Sequence, residues 1–305
     1  MYSSDQDGGV IGLKRNKTMK NTSKQKMKNF SVDCFKKFIA KSSISFLNKG
    51  TYGKAFLVKI VNASLSPYID LQENPVPVLI VKVGLVSAKP HAGTSEENDM
   101  QPMSKADFDA EHTVQENVFR ESLKEFNSAL CPGIVYLDIL TTARFKMLFP
   151  KLFELMAPEK HNRFSFIGME TYANVDNVSN LGLTPKLKGV CFQQLLRLGA
   201  LGIAHGDPSL NNIIVDKDVG RPYLIDFGNP QKLSKEETDF IRSQLDKVTD
   251  LPRVLNIILK GFPLDFANDP RYATNWSWVS GLITAPTINR TFLATFGDDG
   301  WAKIV

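Results

Sequence analysis

The stretch from Gly206 to Gly228 constrains this chain most. Asn212–Val215 and Tyr223–Ile225 are two short runs rich in β-branched and aromatic residues. The segment between them, Asp216 to Pro222, carries Asp, Gly and Pro, the residues that reverse a chain. The spacing predicts a tight β-hairpin. Asp207 stands just before it and Asp226 just after it, with Asn212 at its first strand. Pairing the two strands folds the second carboxylate back beside the first and beside the amide. Any fold this chain adopts must house an acid, an amide and an acid at the open end of one hairpin.

Apolar periodicity organises the rest. Residues 1–30 are basic, polar and poor in large apolar groups, so they read as a disordered arm, with order beginning between Phe30 and Phe46. A strand-like pattern around Phe46–Ile60 surrounds a Gly-containing turn at Gly50–Gly53, and Val78–Val83 reads as a buried strand. Residues 86–106 lack period and read as a polar loop or insertion. From Asp107 to Leu130 the residues Val114, Val118, Phe119, Leu123, Phe126 and Leu130 recur at three- and four-residue steps, which predicts a helix. Ile134–Leu140 and Phe164–Met169 are strand candidates, Val190–Ile203 is helical, and Ser234–Leu259 is helical with Pro252 interrupting or starting a helix. Strands dominate first and helices later, which predicts an α+β chain of two lobes with a cleft between them.

Composition narrows the classes. No apolar run approaches the roughly 20 residues that span a bilayer, and the N-terminal residues lack the apolar core of a secretory signal. Cys34, Cys131 and Cys191 are too few and scattered for a disulfide framework or a zinc site, so a reducing intracellular, cytoplasmic setting is expected. The net charge of +5 is concentrated between Lys14 and Lys28, which holds seven basic residues and no acid. That run suits a solvated tail or an anionic partner.

Asp207, Asn212 and Asp226 suggest a chemistry. Phosphoryl transfer asks a protein for a carboxylate near the acceptor hydroxyl and for oxygen ligands that hold a divalent cation. Few protein oxygens suit Mg²⁺, which keeps waters and substrate phosphates in its shell.

The segment His205-Gly206-Asp207-Pro208-Ser209-Leu210-Asn211-Asn212, followed by Asp226-Phe227-Gly228, resembles the catalytic loop and metal-binding motif of the protein-kinase superfamily. The resemblance implies a bilobal kinase-like fold, with a β-rich small lobe over 31–170 and a shortened, mostly helical large lobe over 171–305. It implies ATP and Mg²⁺ as cofactors, Asp207 as catalytic base, Asn212 and Asp226 as metal ligands, and His205 as a support of the loop. Asn48-Lys49-Gly50-Thr51-Tyr52-Gly53-Lys54-Ala55 resembles the Gly-rich loop over ATP, so Asn48, Gly50, Gly53 and Ala55 are assigned to nucleotide binding. Asn48 stands where the family has its first glycine, and Ala55 where it has Val. Lys82 matches the strand lysine that grips the α- and β-phosphates. Its carboxylate partner should lie on the helix 107–130. Glu111 falls in the middle of the stripe and is preferred; Glu116, about 140° away, is second, and Glu121 third. Phe166–Tyr172 resembles the last small-lobe strand running into the hinge, with Met169 facing adenine and the backbone of Glu170 to Tyr172 bonding the base.

The chain departs from the family in places. Gly206 replaces the Arg that contacts a phosphorylated activation loop. Ser209 replaces the Lys near the transferred phosphate. No Ala-Pro-Glu follows Gly228, so the peptide-docking platform is shortened. His-Gly-Asp without the Lys is similar to the kinase of the KEOPS complex, the RIO kinases, and the aminoglycoside and choline phosphotransferases, and the shortened lobe is similar to kinases of large DNA viruses. The setting would then be the host-cell cytoplasm. Asp250-Leu251 resembles the buried Asp of the helix that anchors the large lobe. The expectation is a monomeric serine/threonine-protein kinase acting on a protein substrate. A small-molecule phosphotransferase and a nucleotide-binding pseudokinase are the alternatives.

Overall fold

A computed structural model describes residues 31–261, apart from residues 51, 63–76, 88–99, 157–161, 172–174, 182–183 and 218–219. The basic arm, Tyr172 and the aromatic residues beyond 261 therefore lie outside the described residues. The chain is α+β, built around a largely antiparallel sheet followed by a mainly helical portion.

The elements run in the order α1 (Val32–Ala40), β1 (Ser42–Lys49), β2 (Gly53–Ile60), β3 (Val78–Ser87), β4 (Met103–Ser104), α2 (Lys105–Phe126), β5 (Ile134–Thr141), α3 (Thr142–Leu148), α4 (Pro150–Met156) and β6 (Arg163–Glu170). The sheet order is β1-β2-β3-β6-β5, with the two-residue β4 pairing in parallel at the end of β3. Strand β3 is central and buried on both faces, which is why Val78–Ser87 reads as an almost unbroken apolar run. It extends four residues past the predicted end at Val83, two of them inside the expected insertion 86–106, whose other end is also structured, as β4 and the first residues of α2.

Alternation along β3 sorts its residues between two cores. Leu79, Val81, Val83 and Leu85 point to one face, where Phe35 and Phe38 of α1, Phe145 of α3, Leu152 and Met156 of α4, and Phe149 between those two helices cover them. Ile80 points to the other face, joined by Ile167 and Met169 of β6 and Phe108 of α2. Lys82 shares the parity of Ile80 and so faces α2. Phe35 stacks on Tyr136 with ring centroids 4.0 Å apart, tying α1 to β5. Helix α1 starts where Ser31 accepts from the Cys34 N–H at 3.2 Å.

The later portion comprises β7 (Val175–Asn177), α5 (Val178–Leu181), α6 (Pro185–Ala200), β8 (Ile203–Ala204), a 3-10 turn (Leu210–Asn212), β9 (Ile213–Asp216), β10 (Arg221–Leu224), β11 (Gln231–Lys232), α7 (Lys235–Ser243) and α8 (Leu251–Ile258). The expected hairpin is β9–β10, with β7 as a third strand beside β9. Apolar faces of α2, α6, α7 and α8 close one core beneath it, around Leu195, Leu196, Leu198, Ile213, Leu224, Phe227, Val254 and Ile258. The helical span 234–259 is two helices, and Pro252 sits in the first turn of the second. Asp250 is no buried anchor. It is exposed and caps α8, accepting from the Arg253 N–H at 3.1 Å. Among the described residues, no helix is long and apolar enough to cross a membrane.

Candidate functional site

Helix α2 carries the first component. Ser104 caps its N-terminus, accepting from the Asp107 N–H at 3.1 Å. Its buried face is Phe108, Glu111, Gln115, Val118, Phe119 and Ser122, half of it polar. Glu111 is 2% exposed, while Glu116 and Glu121 are exposed. A buried carboxylate requires a cation. Lys82 Nζ lies 2.7 Å from Glu111 Oε1 and 3.3 Å from Asp226 Oδ1. Burial works against the Lys82 ammonium, but Asp226 and Glu111 outweigh it and hold its pKa above the ordinary lysine value. Burial also pushes the Glu111 pKa up, while Lys82 opposes the shift. The expected pair is Lys82–Glu111, and Asp226 makes it a triad drawn from β3, α2 and the loop after β10.

The hairpin organises the second component. The Ile225 N–H donates to the Asn212 carbonyl at 2.9 Å, which joins the two ends of the hairpin immediately before Asp226. The Asn212 Nδ2 donates to the main-chain carbonyl of Asp207 at 3.0 Å, leaving its side-chain oxygen to face elsewhere. Burial raises the Asp207 pKa, and the Asp226 charge raises it further; Asn212 and the backbone and hydroxyl of Ser209 pull the other way. Ser209 is buried and hydrogen-bonds to Asp207. Asp207 Oδ1 and Glu111 Oε2 are buried with no hydrogen-bond partner.

Asp226 has a left-handed backbone, φ 64°. Few non-glycine residues adopt it, and at about 1–3 kcal/mol it persists only where the surroundings over-determine it. The flanking contacts do so. His205, fully buried, donates from Nε2 to the Ile225 carbonyl at 3.0 Å, and its ring packs 5.0 Å from the Phe227 ring. Burial lowers the His205 pKa to about 4, so the imidazole is neutral near pH 7.

The Gly-containing turn closes the β1–β2 hairpin above Lys82. The Gly50 N–H donates to the Gly53 carbonyl at 2.8 Å, and Ala55 pairs in register with Lys82. Asn48 pairs opposite Ala55 at a bulge. Gly53 lies so close to β3 that a Cβ there would meet the Val83 carbonyl at 2.6 Å. Met169 is buried against Ile80, Ile134, Ile214 and Tyr223, and its sulfur receives the Gln115 amide at 3.2 Å. The Glu170 N–H donates to the Gly133 carbonyl at 3.0 Å and so is engaged within the fold.

Three contributors escaped the sequence reading. Gln115 donates to the Pro132 carbonyl at 2.9 Å and ties α2 to the start of β5. Its place one turn beyond Glu111 in the stripe was the available signal. Gly84 admits the Tyr52 carbonyl, which a Cβ there would meet at 2.7 Å. Asn229 presses on Gly206, and nothing in the local sequence announces that contact.

The arrangement can hold a divalent cation only with help. Among the described residues no three His, Cys, Asp or Glu side chains cluster to bind a metal. Asn212 and Asp226 offer two oxygen ligands, and the unpartnered Asp207 oxygen adds negative potential beside them. That set fits Mg²⁺ completed by waters and phosphate oxygens. Set against known proteins, the chain matches no family model and no curated sequence.

Proposed function

We propose that this chain is an ATP- and Mg²⁺-dependent phosphotransferase of the protein-kinase-like kind, transferring the γ-phosphoryl group to a serine or threonine hydroxyl of a protein. In this reading residues 31–170 form the small lobe and the described residues from 171 to 261 belong to the large one, and the chain works as a monomer. One observation carries it. Lys82, Glu111 and Asp226 are far apart in sequence and come from three elements, yet they meet within 3.3 Å beside Asp207 and Asn212. A chance hairpin with a metal-like motif has no reason to recruit a half-buried lysine and a buried glutamate from a separate sheet and helix.

Each residue has a task. Bound Mg²⁺ would neutralise charge on the phosphates, held by the Asn212 side-chain oxygen and the Asp226 carboxylate. Glu111 keeps Lys82 extended toward the α- and β-phosphates. Asp207 orients the acceptor hydroxyl and takes its proton as that oxygen bonds to the γ-phosphorus, while the bond from this phosphorus to the β–γ bridging oxygen breaks and ADP leaves. The Asn212 and Ser209 contacts keep that carboxylate aimed. Gly50, Gly53 and Ala55 let the backbone approach the phosphates, and Met169 with the hinge backbone takes the base.

A second reading, a small-molecule phosphotransferase, is favoured by one feature. Only six residues separate Gly228 from α7, and two of them form β11, so little chain remains there to seat a peptide. Labelled ATP with Mg²⁺ tests both. Transfer to a generic protein acceptor by the wild type and not by Asp207→Ala supports the kinase. Transfer only to small polar hydroxyl compounds supports the alternative. Mg²⁺-dependent nucleotide binding without any transfer leaves a binding module, and absence of nucleotide binding refutes the proposal.

A further inference from the structure

Gly206 does more than lack an arginine. Its backbone is left-handed, φ 77°, and a Cβ there would meet the Asn229 carbonyl oxygen at 1.8 Å. The obstacle is main chain, so no side-chain rotation could clear it. The chain just after Gly228 is thus laid directly against the chain just before Asp207.

Three further contacts run across the same seam. Strand β11 pairs antiparallel with β8, Gln231 opposite Ala204 and Lys232 opposite Ile203. The Leu233 N–H donates to the Gly202 carbonyl at 2.9 Å. His205 bonds the Ile225 carbonyl and packs on Phe227. Residues 202–206 and 225–233 therefore form one ladder, with Asp207 leaving one rail and the strained Asp226 built into the other.

We propose that Gly206 is a positioning residue: its missing side chain lets the Asn229 carbonyl close this ladder, which holds Asp226 in its left-handed conformation and keeps Asp207 and Asp226 assembled without any modification of the chain that follows. The inference rests on the phosphotransferase reading and deepens it.

Gly206→Ala is the direct test, made on the full chain well below its melting temperature. Alanine must push Asn229 away, and a misplacement near 1 Å at a catalytic group costs about a hundredfold in rate. The expected result is a kcat about a hundredfold lower, a rise in the Mg²⁺ concentration giving half-maximal rate, and little change in the KM of the acceptor. Hydrogen exchange of residues 225–233 should quicken while α1 and β1–β3 stay protected. Phe227→Leu, which trims the ladder without adding bulk, should show the same pattern more weakly and covers the case in which Gly206→Ala does not fold. Unchanged exchange across 225–233, or an unchanged kcat and Mg²⁺ dependence, in the variant that folds overturns the inference. Quickened exchange in Gly206→Ala together with a wild type that never binds nucleotide refutes the phosphotransferase reading instead, and reduces Gly206 to a structural clamp, which also overturns its assignment as a positioning residue.

Discussion

Removing either member of the Lys82–Glu111 pair should destabilise the protein, and by unequal amounts. Glu111 is 2% exposed and its second oxygen already lacks a partner. Lys82→Met would strip its only ion-pair partner among the described residues and leave a buried carboxylate uncompensated, which costs about 4 kcal/mol. Glu111→Gln is milder. Lys82 is 21% exposed and keeps Asp226 at 3.3 Å, and glutamine can still accept a hydrogen bond, so the loss should be about 1–2 kcal/mol. The larger loss should also depend on pH. In Lys82→Met the folded Glu111 pKa lies above the unfolded value, so the penalty accrues as the pH rises from the unfolded towards the folded pKa and is smallest in acid. Urea unfolding of both variants at pH 8 and pH 5 measures this. Equal losses, or a Lys82→Met loss that does not shrink at pH 5, would refute the claim that Glu111 depends on Lys82 alone.

Other expectations follow from the same geometry. Burial and the neighbouring Asp226 raise the Asp207 pKa, so phosphoryl transfer, which needs the carboxylate, should fall on acidification with a midpoint above the usual value of about 4; a pH–rate profile flat to pH 4 contradicts this. His205 is buried and neutral with its pKa lowered to about 4, so folding should lose about 3 kcal/mol as the pH falls from above 6.5 to that value, and His205→Gln should flatten the dependence in unfolding titrations. Gly84→Ala should raise the KM for ATP several-fold, because a Cβ there meets the Tyr52 carbonyl at 2.7 Å and Ser165 Oγ at 2.8 Å and lifts the glycine turn; steady-state kinetics at fixed acceptor tests it.

Much of the site was legible because it depends on local rules. The β9–β10 hairpin follows from two β-branched runs and a turn, and its ends carry Asn212 and Asp226 wherever it sits. Glu111 was separable from Glu116 because a carboxylate on the inner face of a helix stands out at 100° per residue. The face itself was read only in part. Of the apolar stripe, Val118, Phe119 and Leu130 are buried, whereas Val114, Leu123 and Phe126 are partly buried, and the innermost line of the helix also takes in Phe108, Glu111, Gln115 and Ser122. Polar residues that find partners inside are invisible to hydrophobic periodicity. Helices α1, α3 and α4 carried signals in Phe35/Phe38/Ile39 and Phe145/Phe149/Leu152/Met156 at helical spacing that went unused. The left-handed Asp226 and the Gly206–Asn229 approach arise only when distant backbone segments meet, so no reading of a window could supply them. Asp250 misled because an exposed helix cap and a buried anchor present the same letter.

The central claim is that Asn212 and Asp226 hold a divalent cation beneath a nucleotide gripped by Lys82. Calorimetric titration of ATP into the wild type and into Asp226→Ala, each with Mg²⁺ and with chelator, tests it most directly. Binding that strengthens with Mg²⁺ in the wild type and loses that response in Asp226→Ala is the predicted result. Equal Mg²⁺ dependence in the two proteins would contradict the metal assignment.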